Sequence, residues 1–488
     1  MHACKELEAN IAYIDKKFKN CGDIVTKTFT TRGEKAYRFY IAYFDDLINR
    51  ELIESHVIHG LMVDIHLNGN ANGCIKELLQ GALMTADYTE ERSLDAGING
   101  ILAGNTLLLA DGYDKVIVIS SKSVPTRGVN KPETEVTVQG PQDSFSESIR
   151  TNTVLIRRRV RDAALKCVQL KTGRKTQTDT AVMYIEGTAD QKVVDEALRR
   201  IKSIDAESIL DSGYIEQYIR ERRFSPFPQV QLTERPDKAA AELLEGRIVI
   251  VVDNSPFVML IPVVLASFYQ AADDYYQRWE IASFVRLIRF AAGFFAFALP
   301  ALYTAVTLYA PSMLPLDLML HLAQARKGVP VSTLTEVIGM ELAFEALREA
   351  GIRLPAPVGG TLGIVGGIII GQAAVDAGLV SPMVIIVSAF TGICSFVMPT
   401  QSLASAYRLI KYFLIILSAC FGIYGFMLGL LCVLVHAASV ESFGMPYLYP
   451  LVGEENIIKR FRDSILRLPL SVQQQRPPIF GDDKNERA

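Results

Sequence analysis

Three stretches between Phe290 and Val435 are almost free of charge. Residues 290–316 hold no Asp, Glu, Lys, Arg or His, residues 354–407 hold a single acid, Asp376, and residues 412–435 hold none. About 20 apolar residues in helical form cross a hydrocarbon core, so each stretch is long enough to span a bilayer. An ionisable side chain at that depth faces protein or water rather than lipid, which makes Asp376 a functional candidate.

The flanks are different in kind. At 488 residues the chain is too long for one ordinary domain. Residues up to about 245 are charged and mixed, and the last 50 or so are polar and basic. The net charge of −3 provides no basic field for nucleic acid. Lys5, Glu6, Glu8, Asp15, Lys16, Lys17 and Lys19 stud an N-terminus without an apolar run, so no secretory signal is read there. The N-terminal region is therefore expected on the cytosolic side. The seven cysteines form no CxxC, which argues against a disulfide framework or a zinc site. His56 and His59 stand at i, i+3 but lack a Cys or carboxylate partner at ligand spacing. GxSxG and P-loop motifs are missing, so no enzyme and no cofactor is expected.

The soluble part reads as two α/β units. In the first, residues 35–44 alternate as a strand, helix follows from Asp45, and residues 90–103 form a second helix. Strands at 105–110 and 115–120 join through Asp111-Gly112-Tyr113-Asp114, a hairpin turn. The second opens with a strand at 135–138, broken by Gly140-Pro141. A helix capped by Asp143 or Ser144 then runs to about Arg161. Strands at 167–170 and 180–185 precede a helix over 190–203, with Val193, Val194, Ala197, Leu198 and Ile201 on one face. A helix at 214–222 ends at Ser225-Pro226-Phe227-Pro228. Residues 248–265 look like a membrane helix by hydropathy, but Asp253-Asn254-Ser255-Pro256 and β-branched flanks favour a hairpin, 248–252 with 257–261. Arg157, Arg158, Arg159 and Arg161 read either as a contact for acidic headgroups or a neighbouring subunit, or as a solvated helix end favoured by the macrodipole.

The expected fold class is thus an α/β soluble region of two subdomains, 1–122 and 131–245, then a hairpin and connector, 246–283. An all-α transmembrane domain, 284–440, and a polar basic tail, 441–488, follow. Spans are expected at 284–310, 358–377, 380–399 and 409–435. Residues 333–349 form an amphipathic helix that lies in the interface or packs on the bundle. Lys459, Arg460, Arg462 and Arg467 keep the tail cytosolic, whereas Arg408 and Lys411 argue against that topology.

The second span concentrates the signal. Gly363, Gly367 and Gly371 recur every four residues and give a smooth face for close helix approach. Thr361, Val365, Ile368, Gln372 and Asp376 share another face. That face either lines a pore or cavity, or packs ordinarily with Asp376 reaching headgroups at the helix end. Pro300, Pro311 and Pro315 interrupt the first span and its exit, as kinks that serve gating or as kinks alone.

Several ordered motifs extend over nearly the whole length. Ser225-Pro226-Phe227-Pro228-Gln229, Thr233-Glu234-Arg235-Pro236-Asp237, Gly246-Arg247 and Val252-Asp253-Asn254-Ser255-Pro256-Phe257 are among them. So are Asp273-Asp274-Tyr275-Tyr276, Leu347-Arg348-Glu349-Ala350-Gly351, Gly371-Gln372-Ala373-Ala374 and Ser442-Phe443-Gly444-Met445-Pro446-Tyr447. With these the chain resembles the A subunit of GerA-type spore germinant receptors, and its wording is nearer to that branch than to the SpoVAF-like branch. The resemblance implies a protein of the spore inner membrane, working with a transporter-like B subunit and a lipoprotein C subunit. It also implies a homo-oligomer that passes monovalent cations when nutrient binds. A secondary transporter or accessory membrane scaffold is the alternative. The pore-facing residues come from the helix faces above, not from the resemblance.

Overall fold

The computed structural model describes residues 1–31, 37–45, 47–59, 87–123, 131–353, 371–452 and 464–469. Two compact units divide them. The first takes Met1–Glu221 and Val230–Pro262, and the second takes Arg222–Gln229 and most of the chain after Val263.

The first unit holds two antiparallel five-stranded sheets. In the N-terminal one, β1 (Ile24–Thr30), β2 (Arg38–Phe44), β3 (Tyr88–Glu91), β4 (Thr106–Ala110) and β5 (Val116–Ile119) lie in the order β1-β2-β4-β5-β3. Strand β2 is apolar on both sides because both faces are covered. Tyr40, Ala42 and Phe44 pack beneath α1 (Leu7–Lys17) and α2 (Leu94–Leu102), while Phe39, Ile41 and Tyr43 pack with Ile53 and Val57. Helix α2 presses on the sheet through glycines: a Cβ on Gly97 would stand 2.7 Å from Leu107 and Val116 methyls. The expected 105–110/115–120 hairpin is β4–β5. The expected helix from residue 90 begins instead at Leu94, because Tyr88–Glu91 pairs with β5 as an edge strand.

The second sheet runs β6 (Leu165–Thr172), β7 (Thr178–Ile185), β9 (Ile248–Val252), β10 (Val258–Ile261), β8 (Gln231–Thr233). The 248–265 segment is therefore a hairpin, and its strands complete this sheet; every residue of β9 and β10 is buried. Helices α3 (Ile149–Arg157) and α6 (Pro236–Leu244) cover one face. Helix α4 (Gln191–Lys202) starts where Asp190 accepts from the Lys192 N–H, and α5 (Ser212–Ile219) where Asp211 accepts from Gly213.

Three local expectations fail for physical reasons. Residues 135–138 form no strand: Val136 and Val138 are exposed, and the Glu135 carboxylate bonds Thr233 and Lys238 while buried Arg235 takes the Glu135 carbonyl. Helix α3 is capped by Ser148, not by Asp143 or Ser144. Arg157 contacts no headgroup. It is buried, clamps Asp23 through two N–H donors and lies 4.0 Å over the Phe44 ring. Burial would depress that guanidinium's pKa, but Asp23 outweighs it and raises the value.

The second unit is helical. It contains α7 (Trp279–Tyr309), α8 (Leu316–Ala325), α9 (Thr333–Arg353), a helical end at 371–376, α10 (Pro382–Phe396) and the helical element Gln401–Ser439. By length and composition, α7 and Gln401–Ser439 are the elements able to cross a membrane among the described residues. Helix α7 continues through Pro300 as one helix. Helix α10, expected as a span over 380–399, has 15 residues, and most of the 358–377 span lies outside the described residues.

The 409–435 span is not one pass. Gly422 takes φ 61°, ψ −139°, a region open to glycine alone. In a straight helix Leu414 and Gly429 would stand about 22 Å apart. Instead a Cβ on Gly429 would lie 2.5 Å from Leu414 Cδ2, and one on Gly425 would strike the Leu417 carbonyl. Residues 401–421 and 423–439 are therefore the antiparallel arms of a helical hairpin. The Tyr309 ring rests against Gly422, and its hydroxyl donates to the Ala419 carbonyl at 2.6 Å, capping the first arm.

A charge cluster sealed between helices

The amphipathic helix expected at 333–349 packs into the bundle, with Val337 and Met340 buried in the main apolar core. Its polar face turns inward as well. Glu341, Glu345 and Arg348 fall at i, i+4 and i+7 on α9 and meet Arg408 and Lys411 of the first hairpin arm. Lys411 donates to Glu341 at 2.5 Å, with both side chains no more than 5% exposed. Arg408 donates to Glu345 at 3.1 Å. Arg348 bonds the Ser395 hydroxyl of α10 at 2.7 Å and sits 3.3 Å from Glu345. The pairing order, 341 with 411 and 345 with 408, makes α9 antiparallel to the arm.

Two carboxylates thus meet three cations, a formal excess of one positive charge. Glu341 Oε1, Ser388 Oγ, Arg348 Nε and Arg408 Nε are buried without a hydrogen-bond partner. All four residues line a cavity of ≈ 10 Å³, with Thr391 and Tyr407. That is about the room one water needs, and the lining is polar enough to hold it. Arg408 and Lys411, which counted against the expected topology, face protein partners rather than headgroups. The missed signal was the i, i+4, i+7 spacing on α9 matched by i, i+3 on the arm. It reads equally as a solvated helix face until the partner helix is known.

A second cluster anchors the start of α7. Asp274 is buried and accepts from Arg286 at 2.8 Å and from Arg289 at 2.7 and 2.8 Å. Arg286 and Arg467 both lie 5.4 Å from the Tyr275 ring centre. Arg467, read from sequence as a positive-inside signal, donates to the Gln277 and Tyr275 carbonyls. Deeper in, Tyr269 and Tyr407 share a 2.6 Å hydrogen bond.

Of the residues expected on the second span, Thr361, Val365 and Ile368, and the glycines Gly363 and Gly367, lie outside the described residues. The remaining three end its helix. Gly371 is buried toward α10, where a Cβ would touch Ile385 at 3.6 Å. Gln372 and Asp376 are exposed, and the Gln372 amide donates to Asp376 at 3.1 Å. No cluster of three or more His, Cys, Asp or Glu suited to a metal occurs among the described residues.

An α/β region followed by a helical unit, with two helical elements long and apolar enough to cross a membrane among the described residues, marks the class: a membrane protein. The particular family follows from comparison with known proteins. The chain belongs to the Bacillus/Clostridium GerA spore germination protein family, whose pattern matches residues 12–479. It is 38% identical over 479 residues to spore germination protein KA of Bacillus subtilis (strain 168), covering 98% of this chain and 87% of that protein. It is 40% identical over 479 residues to the uncharacterized membrane protein YfkQ of the same organism, covering 97% and 91%. A crystal structure of the N-terminal domain of the A subunit of the Bacillus megaterium germinant receptor GerK3 is similar at 32% identity. It covers 53% of this chain and 96% of that one, with a TM-score of 0.43.

Proposed function

We propose that this chain is the membrane subunit of a nutrient-sensing germinant receptor and that several copies surround a cation path opened by nutrient. It would reside in the spore inner membrane with its N-terminal region toward the spore core, beside a transporter-like B subunit and a lipoprotein C subunit. The observation that carries this reading is the end of the second span. Gly371 turns toward Ile385 of α10 while Gln372 and Asp376 stay exposed on another side, hydrogen-bonded to each other. An exposed carboxylate on an apolar helix is costly for one copy in lipid. Ringed around an axis, several such groups offer cations a hydrated site. In the sequence, Thr361, Val365 and Ile368 precede Gln372 and Asp376 at helical spacing, which is the basis for including them in the proposed face.

The test is ion flux. In planar bilayers or in spores, Asp376→Asn and a bulky change at Val365 are expected to alter ion release, selectivity or germination timing. Unchanged values for all three would refute the assignment of the pore face, and a strict monomer in detergent with its partners present would refute the ring. A secondary transporter is the second reading. The helix broken at Gly422 and the buried charge between α9 and the first arm favour it, since broken helices mark many transporters. Flux that saturates and stays coupled to a co-substrate would select that reading.

A further inference from the structure

A groove of ≈ 330 Å³ runs along the hairpin, on a side of the first arm apart from the charge cluster. Leu409, Ile410 and Phe413 line it from the first arm, Cys432 and Val433 from the second, and Phe227 closes one end. Its lining is almost wholly apolar. Leu409 and Phe413 are 66% and 46% exposed, so the groove is open rather than a sealed void.

The closed end is of opposite character. The Phe227 ring stacks on His436 with centroids 5.9 Å apart, and Ser225 Oγ meets His436 Nε2 at 2.9 Å. One helical turn further on, Arg222 Nη1 donates to Ser439 Oγ at 2.9 Å, which holds a guanidinium beside the groove's end. Arg222 and Arg223 are exposed, and Phe224 is fully exposed. Two exposed arginines stand here beside two exposed acids, Glu441 and Glu221, and the Glu221 carboxylate is already engaged by Arg200 at 3.0 Å. Exposed Arg-Arg-Phe beside an apolar trough fits the boundary between headgroups and acyl chains: the arginines suit phosphate and the bare aromatic suits the interface.

We infer that this groove is a binding site for an anionic phospholipid, with an acyl chain between the hairpin arms and the phosphate on Arg222 and Arg223. The charge complementarity selects an anionic lipid over a zwitterionic one. The inference stands apart from the channel reading, since it needs neither a ring nor ion flux.

The full chain, reconstituted with equimolar phosphatidylglycerol and phosphatidylcholine and then purified in mild detergent, tests it by native mass spectrometry of retained lipid. Wild type is expected to retain phosphatidylglycerol in preference. Each of Arg222→Gln and Arg223→Gln is expected to lower that preference by about fivefold, with phosphatidylcholine unaffected. Ile410→Trp, which fills the trough, should lose both lipids. Leu409→Trp, at a more exposed position, repeats the test should Ile410→Trp fail to fold. Equal retention of the two lipids by wild type, or an undiminished preference in the Arg222→Gln/Arg223→Gln protein, overturns the site. Displacement of the lipid by glycerol phosphate alone overturns the role of the groove.

Discussion

The Glu341–Lys411 pair allows a quantitative test of the sealed cluster. At 2.5 Å and an effective dielectric constant near 20, the two charges attract by about 7 kcal/mol. Desolvating two ions offsets much of that, so the net value of the pair is small, while removing one partner strands the other. Lys411→Met leaves Glu341 with neither oxygen bonded, and the remaining arginines engage Glu345. A loss of about 3–5 kcal/mol is expected. Glu341→Gln should be at least as costly, because it leaves three cations facing one carboxylate. Glu341→Gln with Lys411→Met should recover more than half of the summed loss, since it removes both charges. The single tryptophan, Trp279, stands at the first residue of α7 and reports unfolding by its fluorescence in mixed micelles. Single variants within about 1 kcal/mol of wild type, or strictly additive losses in the double variant, would refute the reasoning.

Gly422→Ala should destabilise the helical unit by about 1–3 kcal/mol or more, measured by detergent unfolding, because it needs φ 61° and its Cβ would stand 2.8 Å from the Tyr309 ring. Arg157→Met should cost about 3–5 kcal/mol in urea unfolding of the full chain by leaving Asp23 buried without its partner; a loss under about 1 kcal/mol would refute the buried pair. Burial pushes the Cys21 and Cys167 thiols above their ordinary value of 9.0, so at pH near 9 alkylation should modify exposed Cys4 and spare both until the protein is denatured. Hydrogen bonds from Arg199 and Arg200 pull the Glu196 carboxyl down to about 2, so any contribution it makes to stability is present above 4.5 and disappears as pH falls through about 2. A carboxyl NMR titration of Glu196 that is complete at its ordinary value of 4.5 would refute this.

The parts legible in the sequence were those with a local cause. The β4–β5 hairpin follows from its turn residues, and Asp253-Asn254-Ser255-Pro256 kept 248–265 out of the membrane because a turn tetrapeptide cannot continue a helix. The apolar block was legible from its missing charge. What escaped was nonlocal. No periodicity in residues 412–435 marks Gly422, since glycines at 425 and 429 are as frequent in straight membrane helices, and the fold-back depends on Tyr309 arriving from another helix. Likewise α9 carries the pattern of a surface helix. Its Glu341 becomes a core residue because Lys411, 70 residues later, brings compensating charge. Arg157 was misread for the same reason: its partner Asp23 stands just before β1, 134 residues earlier in the chain.

The fold-back at Gly422 also bears on sidedness. A chain that enters and leaves a bilayer by the same face changes the parity of its crossings without changing its hydropathy profile. A reporter fused before Gln401 and one fused after Ser439 should therefore report the same compartment, although a continuous apolar run separates them. A membrane-impermeant thiol reagent should reach exposed Cys420, two residues from the turn, from the opposite side or not at all. If both arms of the hairpin lie in the bilayer, counting residues 412–435 as a single crossing inverts the compartment expected for the tail of this chain.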